Sequence, residues 1–324
     1  MYCPRVNHFV RFNANGTVSR CGHMVNAPQF INYHTMENSE WMRDMVVKFN
    51  SNEWPAECVR CQKSEAVGEK SIREYAIDEW KKPHSRSDYL QVGGVLDNIC
   101  NAACQTCSEN HSSVIAGLKG IKIKVDNSNR LDELPWDRIT HLDLNGGEPS
   151  ASPAYKKLLE NPPPNLMSLR LNTNCTRVLW DLGKLADNDV EVTVTVSLDG
   201  VGRVHEYMRW PITWQRFLIN LKIYQSMPVK LNTWTTVSAL NIGDFNNIVE
   251  FTKTEGIDHA WAFLERPNVL SVAHSNPLTT WAKLTLPEEM AKFVAIEENN
   301  QAELDAYIAE QDGIRSLRFK DFIK

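Results

Sequence analysis

"YLQVGGVLDNICNAACQTC", residues 89–107, is the stretch on which the reading of the chain turns. Its first nine residues read as a strand, and directly behind them stand Cys100, Cys104 and Cys107, spaced C-x3-C-x2-C. Packing alone accounts poorly for three cysteines inside eight residues. Soft thiolates this close together suit zinc or an iron–sulfur cluster. Cysteine-built structural sites usually close with four ligands, whereas an open position generally marks chemistry. The fourth ligand therefore either comes from elsewhere in the chain or is supplied by something the site binds.

The rest of the sequence frames that question. With 324 residues there is ample material for one large core or two ordinary ones. A formal charge of −5 disfavours nucleic acid as a partner. No apolar run is long enough to span a membrane, and the stretch "MYCPRVNHFVRF" lacks the apolar segment of a secretion signal, so a cytoplasmic, reducing location is expected. In that setting clustered cysteines read as metal ligands rather than disulfides. The eight cysteines stand at 3, 21, 58, 61, 100, 104, 107 and 175, so seven lie in the first third of the chain.

That first third looks unlike the remainder. "HFVRFNANGTVSRC" reads as strand, Asn-Gly turn and strand, delivering Cys21 at its exit. A helix is expected over "SEWMRDMVVKF", followed by the C-x2-C pair Cys58 and Cys61. From about residue 88 strands alternate with helices: "YLQVGGVLD", "THLDLNGG", "SLRLNTNC", "VEVTVTVSLDG", "KLNTWTTVSA" and "HAWAFLE" are the strands. This pattern predicts an α/β fold with a parallel sheet and right-handed crossovers. A helical tail is expected over about 285–324. The expected organisation is an N-terminal four-cysteine module (1–80), a barrel unit (88–265) and a C-terminal helical extension (266–324).

The strands are not apolar on both faces, as buried parallel strands tend to be. Val190, Val192, Val194 and Val196 share one face, while Thr193, Thr195, Ser197 and Asp199 share the other. Arg170, Asn172 and Asn174 repeat the pattern, as do His141, Asp143 and Asn145. Helices must cover the apolar faces, so the polar faces are expected to line a wet cavity in an open or partial barrel. At the ends of two of these strands lie "LNGGEPS" and "VSLDG". Gly146 and Gly147 let a backbone approach a ligand, Glu148 offers a carboxylate to an amine, and Ser197 and Asp199 suit a ribose.

In these motifs the chain resembles the radical S-adenosylmethionine (SAM) family over about residues 88–265, with Cys100, Cys104 and Cys107, "GGEP" and the ribose motif in the family's order. The resemblance implies a partial (β/α)6 TIM-like barrel and a [4Fe-4S] cluster whose unique iron is chelated by SAM. It also implies an electron donor such as flavodoxin or ferredoxin, reductive cleavage of SAM to a 5′-deoxyadenosyl radical, and hydrogen abstraction from a substrate. Carried over by position, Gly146, Gly147 and Glu148 would hold the methionine amino group, Ser197 and Asp199 would face the ribose, and Val237 would flank the adenine, with Asn172 and Asn174 close by. Arg209 is a candidate for the SAM carboxylate or, equally, a solvated helix arginine. Two positions depart from the common pattern: Thr106, where an aromatic residue is usual before the third cysteine, and Thr173-Asn174-Cys175 in place of "TNG".

Cys3, Cys21, Cys58 and Cys61 form a second set, similar to the auxiliary-cluster module of SPASM/twitch-type members but placed before the barrel. They would hold a second [4Fe-4S] cluster or a structural zinc ion. The twitch-like module implies a peptide or protein substrate. The alternatives are modification of a nucleotide or small metabolite, and a zinc-stabilised binding protein without turnover.

Overall fold

The structure of the protein is a computed structural model, which describes residues 1–80, 88–274 and 300–322. The Asn-Gly hairpin forms as β1 (Phe9–Phe12) and β2 (Val18–Ser19), closed by Asn13 N–H donating to Thr17 O at 2.9 Å. The six expected strands follow as β3 (Leu90–Val95), β4 (Ile139–Asn145), β5 (Ser168–Thr173), β6 (Glu191–Ser197), β7 (Lys230–Val237) and β8 (Asp258–Phe263). Among the described residues they make one sheet in the order β2-β1-β3-β4-β5-β6-β7-β8. Only the β1–β2 pair is antiparallel. The hairpin of the cysteine-rich segment thus shares the barrel's sheet, with Phe9 opposite Gln91 and Phe12 opposite Gly94.

The sequential strand order has a consequence for the site. Right-handed crossovers between neighbouring strands put every connecting helix on the same face of the sheet. On that face Leu142, Leu144, Leu169, Leu171, Val192, Val194 and Val196 are all buried, in one core with Leu158, Leu182, Phe217 and Leu221 from the helices. Each such side chain contributes about 1.5–3 kcal/mol on leaving water. A one-residue slip of any strand would exchange the two faces, so this burial also fixes register. The opposite face carries exposed Asp143 and Asn172 and half-buried Thr193 and Thr195. The sheet is therefore open, with one face packed by helices and the other polar and partly exposed, as the alternation predicts.

Local signals set the helices. Ser152 caps Pro153–Glu160 by accepting from Tyr155 N–H, Thr213 caps Trp214–Gln225, and Gly256, at φ +66°, ends Phe245–Glu255. In the N-terminal segment Glu40–Asn50 is capped by Ser39 and buries Met42, Met45 and Phe49 against Cys3 and Cys58 in a small second core. Of the expected helical tail, Gln301–Arg315 is a helix that packs beside Tyr207 and Leu270, while residues 285–299 lie outside the described residues. Among the described residues no helix is long and apolar enough to cross a membrane.

Candidate active site

The loop after β3 is stitched in place from both sides. Ile99 O accepts from Glu148 N–H at 2.7 Å, and Ser113 Oγ accepts from Cys100 N–H at 3.1 Å. Further along, Ala103 N–H donates to Trp210 O at 2.7 Å and Gln105 N–H to Met208 O at 2.8 Å. Arg315, buried in the C-terminal helix, donates from Nε to Ala103 O at 2.8 Å and from Nη2 to Cys104 O at 3.4 Å. The cysteine loop is therefore held by three distant parts of the chain.

So fixed, Cys100, Cys104 and Cys107 line one cavity of about 750 Å3 at the C-terminal ends of the parallel strands. That is where open and closed parallel α/β sheets place their ligands, and the volume lies in the range of small-molecule sites. Thr106, Gly146, Gly147, Asn172, Asn174, Ser197 and Arg209 line the same cavity. Burial, then repulsion between the thiols, pushes Cys107 up to about 12, and burial does the same to Cys100. Cys104 is raised as well, with Arg209 pulling the other way; its Nη1 lies 3.7 Å from Cys104 Sγ. Buried thiols of this kind stay protonated until a cationic centre replaces the proton, which is what an iron–sulfur cluster or zinc would supply.

Both glycines of "GGEP" are demanded by geometry. Gly146 sits at φ +85° and a Cβ there would lie 2.4 Å from Val95 Cγ1, while Gly147, at φ +57°, would put one 2.4 Å from Ile99 O. Glu148 turns away from the cavity and is fully buried. Its Oε1 accepts from Ser150 N–H (3.1 Å), Ser150 Oγ (2.6 Å) and Thr173 Oγ1 (2.8 Å), and its Oε2 from Asn174 N–H at 2.7 Å. Burial raises its pKa and these donors oppose the rise. The carboxylate thus fastens the glycine turn to the end of β5, the role that its hydrogen bonds show.

Two other expected residues also stand outside the cavity lining. Asp199 is fully buried, accepts from Thr236 N–H at 3.0 Å and pairs with Arg209 Nη2 at 2.7 Å. Arg209 is accordingly no solvated helix arginine. Val237 packs with Ile242, Phe245 and Val272 on the helix side, and Thr236 lines the cavity in its place. Cys175 is a packed thiol at φ +62°, 3.8 Å from Phe217 O. Arg11, Ser108, His111, Asn145 and Arg266 also line the cavity; of these only Asn145 carries a sequence signal, the polar alternation of β4.

The second set of cysteines also converges. Cys3, Cys21, Cys58 and Cys61, from three separated segments, line one small pocket with Arg5, His23, Trp54 and Arg73. Burial and mutual repulsion push Cys58 up to about 12, and Cys3 rises to about 11 for the same main reason. Glu65 accepts from Ser71 Oγ and twice from Arg73, whose Nη1 reaches Tyr2 O at 2.8 Å, which ties the Cys58–Cys61 helix to the residue before Cys3. Among the described residues no three Cys, His, Asp or Glu side chains close around a single metal ion. Four thiols around one pocket nevertheless form a donor set suited to a soft metal centre.

No protein-family model and no curated protein matches the chain. Among solved structures, native anSMEcpe with bound AdoMet overlaps 71% of this chain at 17% identity and a TM-score of 0.44, and the chain spans 65% of that protein. Streptococcus suis SuiB bound to S-adenosylmethionine overlaps 95% of this chain and 70% of its own, at 13% identity and a TM-score of 0.42. SuiB bound to the precursor peptide SuiA gives 97% and 70%, at 13% identity and a TM-score of 0.41.

Proposed function

We propose that the protein is a radical SAM enzyme acting on a peptide or protein. One observation carries the reading: the C-x3-C-x2-C thiols, the double-glycine turn and the polar ends of β5 and β6 surround a single cavity at the C-terminal edge of an open parallel sheet. Cys100, Cys104 and Cys107 would ligate three irons of a [4Fe-4S] cluster, leaving one for SAM. When bound, the cluster supplies an electron and SAM the 5′-deoxyadenosyl group that takes a hydrogen atom from the substrate. The chain's own residues bind and orient: Gly146 and Gly147 present bare backbone, Asn172, Asn174, Ser197 and Thr236 offer polar contacts for the nucleoside, and Arg209 stabilises the negative charge at Cys104. Cys3, Cys21, Cys58 and Cys61 would hold the second cluster, or zinc, and an external electron donor such as flavodoxin or ferredoxin would supply reducing equivalents. The resemblance of that module to twitch-type enzymes sets the peptide or protein as substrate class.

Anaerobic reconstitution tests this. The expected result is about eight irons per chain and release of 5′-deoxyadenosine from SAM on addition of dithionite. Replacing Cys100, Cys104 and Cys107 with Ala should abolish that release. A reconstituted protein that holds no iron at these cysteines and leaves SAM intact would overturn the proposal, and one tightly held zinc would assign the N-terminal site to structure.

A further inference from the structure

The cavity reverses the charge of the chain that builds it. Acidic residues outnumber basic ones 40 to 35, yet the lining includes Arg11, Arg209 and Arg266 and not one Asp or Glu. Arg209 is paired with Asp199 behind it. Among the described residues neither Arg11 nor Arg266 has a carboxylate partner. His111, which shares the cavity, is kept toward the neutral form by burial and by Arg11.

Arg11 is placed there by construction. It projects from β1, the strand that the cysteine-rich segment adds to the sheet. A Cβ on Gly94 would lie 2.9 Å from its Cγ, and a Cβ on Gly22 would lie 2.0 Å from Nη1 and 2.7 Å from Cζ. Two bare backbone positions therefore form a slot for the side chain. Gly22 follows Cys21 directly, so the guanidinium stands between the two groups of cysteines. Arg266 enters from the segment after β8, at the far edge of the sheet, and is exposed. A guanidinium without a counter-charge can take an incoming anion, and its planar fork matches the oxygens of a carboxylate or phosphoryl group.

We propose that Arg11 and Arg266 are specificity-determining residues that recognise an oxyanion on the peptide substrate, an acidic or phosphorylated side chain close to the position modified. The proposal rests on the radical SAM reading of the same cavity. Its test uses reconstituted enzyme with SAM and three fluorescein-labelled pentapeptides: Gly-Glu-Gly-Glu-Gly, Gly-Gln-Gly-Gln-Gly, and the first with phosphoserine in place of glutamate. Binding is followed by anaerobic fluorescence anisotropy. One or both anionic peptides should bind at least about tenfold tighter than the glutamine peptide, with a preference that shrinks as salt rises. The tighter of the two names the source of the oxyanion. Arg11→Gln and Arg266→Gln should each pull the preference toward unity, and Arg11→Lys should keep part of it. Equal binding of all three peptides, or saturable binding by none, overturns the proposal. So does an Arg11→Gln variant that loses SAM affinity while keeping the peptide preference, since Arg11 would then serve the SAM carboxylate. Wild-type enzyme that cleaves SAM but ignores peptide charge defeats this inference alone, whereas wild type that leaves SAM intact defeats the reading beneath it.

Discussion

Replacing Glu148 with Gln separates a residue that holds a ligand from one that holds the ligand's cradle. The carboxylate accepts four hydrogen bonds in a site with no solvent exposure. Glutamine can keep its oxygen toward Ser150 and Thr173, but its amide nitrogen must then face Asn174 N–H, donor against donor. That loses a 2.7 Å bond and strands a buried N–H, a cost of about 1–3 kcal/mol. The three remaining bonds lose their charge assistance, roughly 0.5 kcal/mol each. The sum is about 3–4 kcal/mol, and at roughly 2 °C per kcal/mol for a chain of this size the melting temperature should fall by about 5–10 °C. SAM affinity, measured on the reconstituted variant by equilibrium dialysis, should fall only as far as the loosened glycine turn allows, within about tenfold. The opposite split, an unchanged melting temperature with SAM affinity down a hundredfold or more, would show that Glu148 touches the ligand and that the positioning role is wrong.

Three further outcomes follow from the same contacts. Arg315→Met removes the donor to Ala103 O and Cys104 O while keeping apolar bulk, so iron per chain should drop and stability fall by about 2–4 kcal/mol, read from metal analysis and denaturant unfolding; full iron loading would refute the clamp. Gly147→Ala and Gly120→Ala both place a side chain at positive φ, but Gly120 opens on free space whereas Gly147 meets Ile99 O, so only Gly147→Ala should cost clearly more than the ~1 kcal/mol of backbone strain in thermal melts. His205, buried against Phe217 and Trp214 beside Arg209, is held neutral by burial, with its pKa well below the ordinary value. The unfolded chain takes up that proton below about pH 6.5 and the folded chain does not, so stability should fall by up to about 1.4 kcal/mol per pH unit on acidification. His205→Phe should flatten that acid limb in urea titrations; an unchanged slope would show that the ring titrates in the folded state.

What was legible in the sequence, and what was not, divides along physical lines. The six strands and their wet face could be read because Leu and Val alternate with polar residues in β4, β5 and β6, and the alternation is the direct image of one covered and one open face. In β7 the same rule misleads. "NTWTTV" is polar on both faces, and the helix side carries buried Thr233 and Thr235, whose hydroxyls donate to Asp258 O and Leu198 O. Once threonine satisfies its hydroxyl on the backbone it packs like valine, so the polar pattern of β7 does not tell which face Thr236 and Val237 take; Thr236 lines the cavity and Val237 packs on the helix side. The cysteine spacing and the glycine pair were legible for a different reason: both are local, and a run of chain shows them whole. Glu148 was half legible, since its motif marks a turn but not the direction in which a side chain leaves it. Arg11 and Arg315 left no local trace. Arg11 becomes part of the cavity because β1 pairs with β3 from far back in the chain, and Arg315 reaches the cysteine loop because a C-terminal helix returns to it. Arg11 and Arg266, the cavity arginines that have no carboxylate partner among the described residues, both lie outside the 88–265 unit, so on the proposed reading the segments that flank that unit are where the choice of substrate can change while the cysteine loop stays as it is.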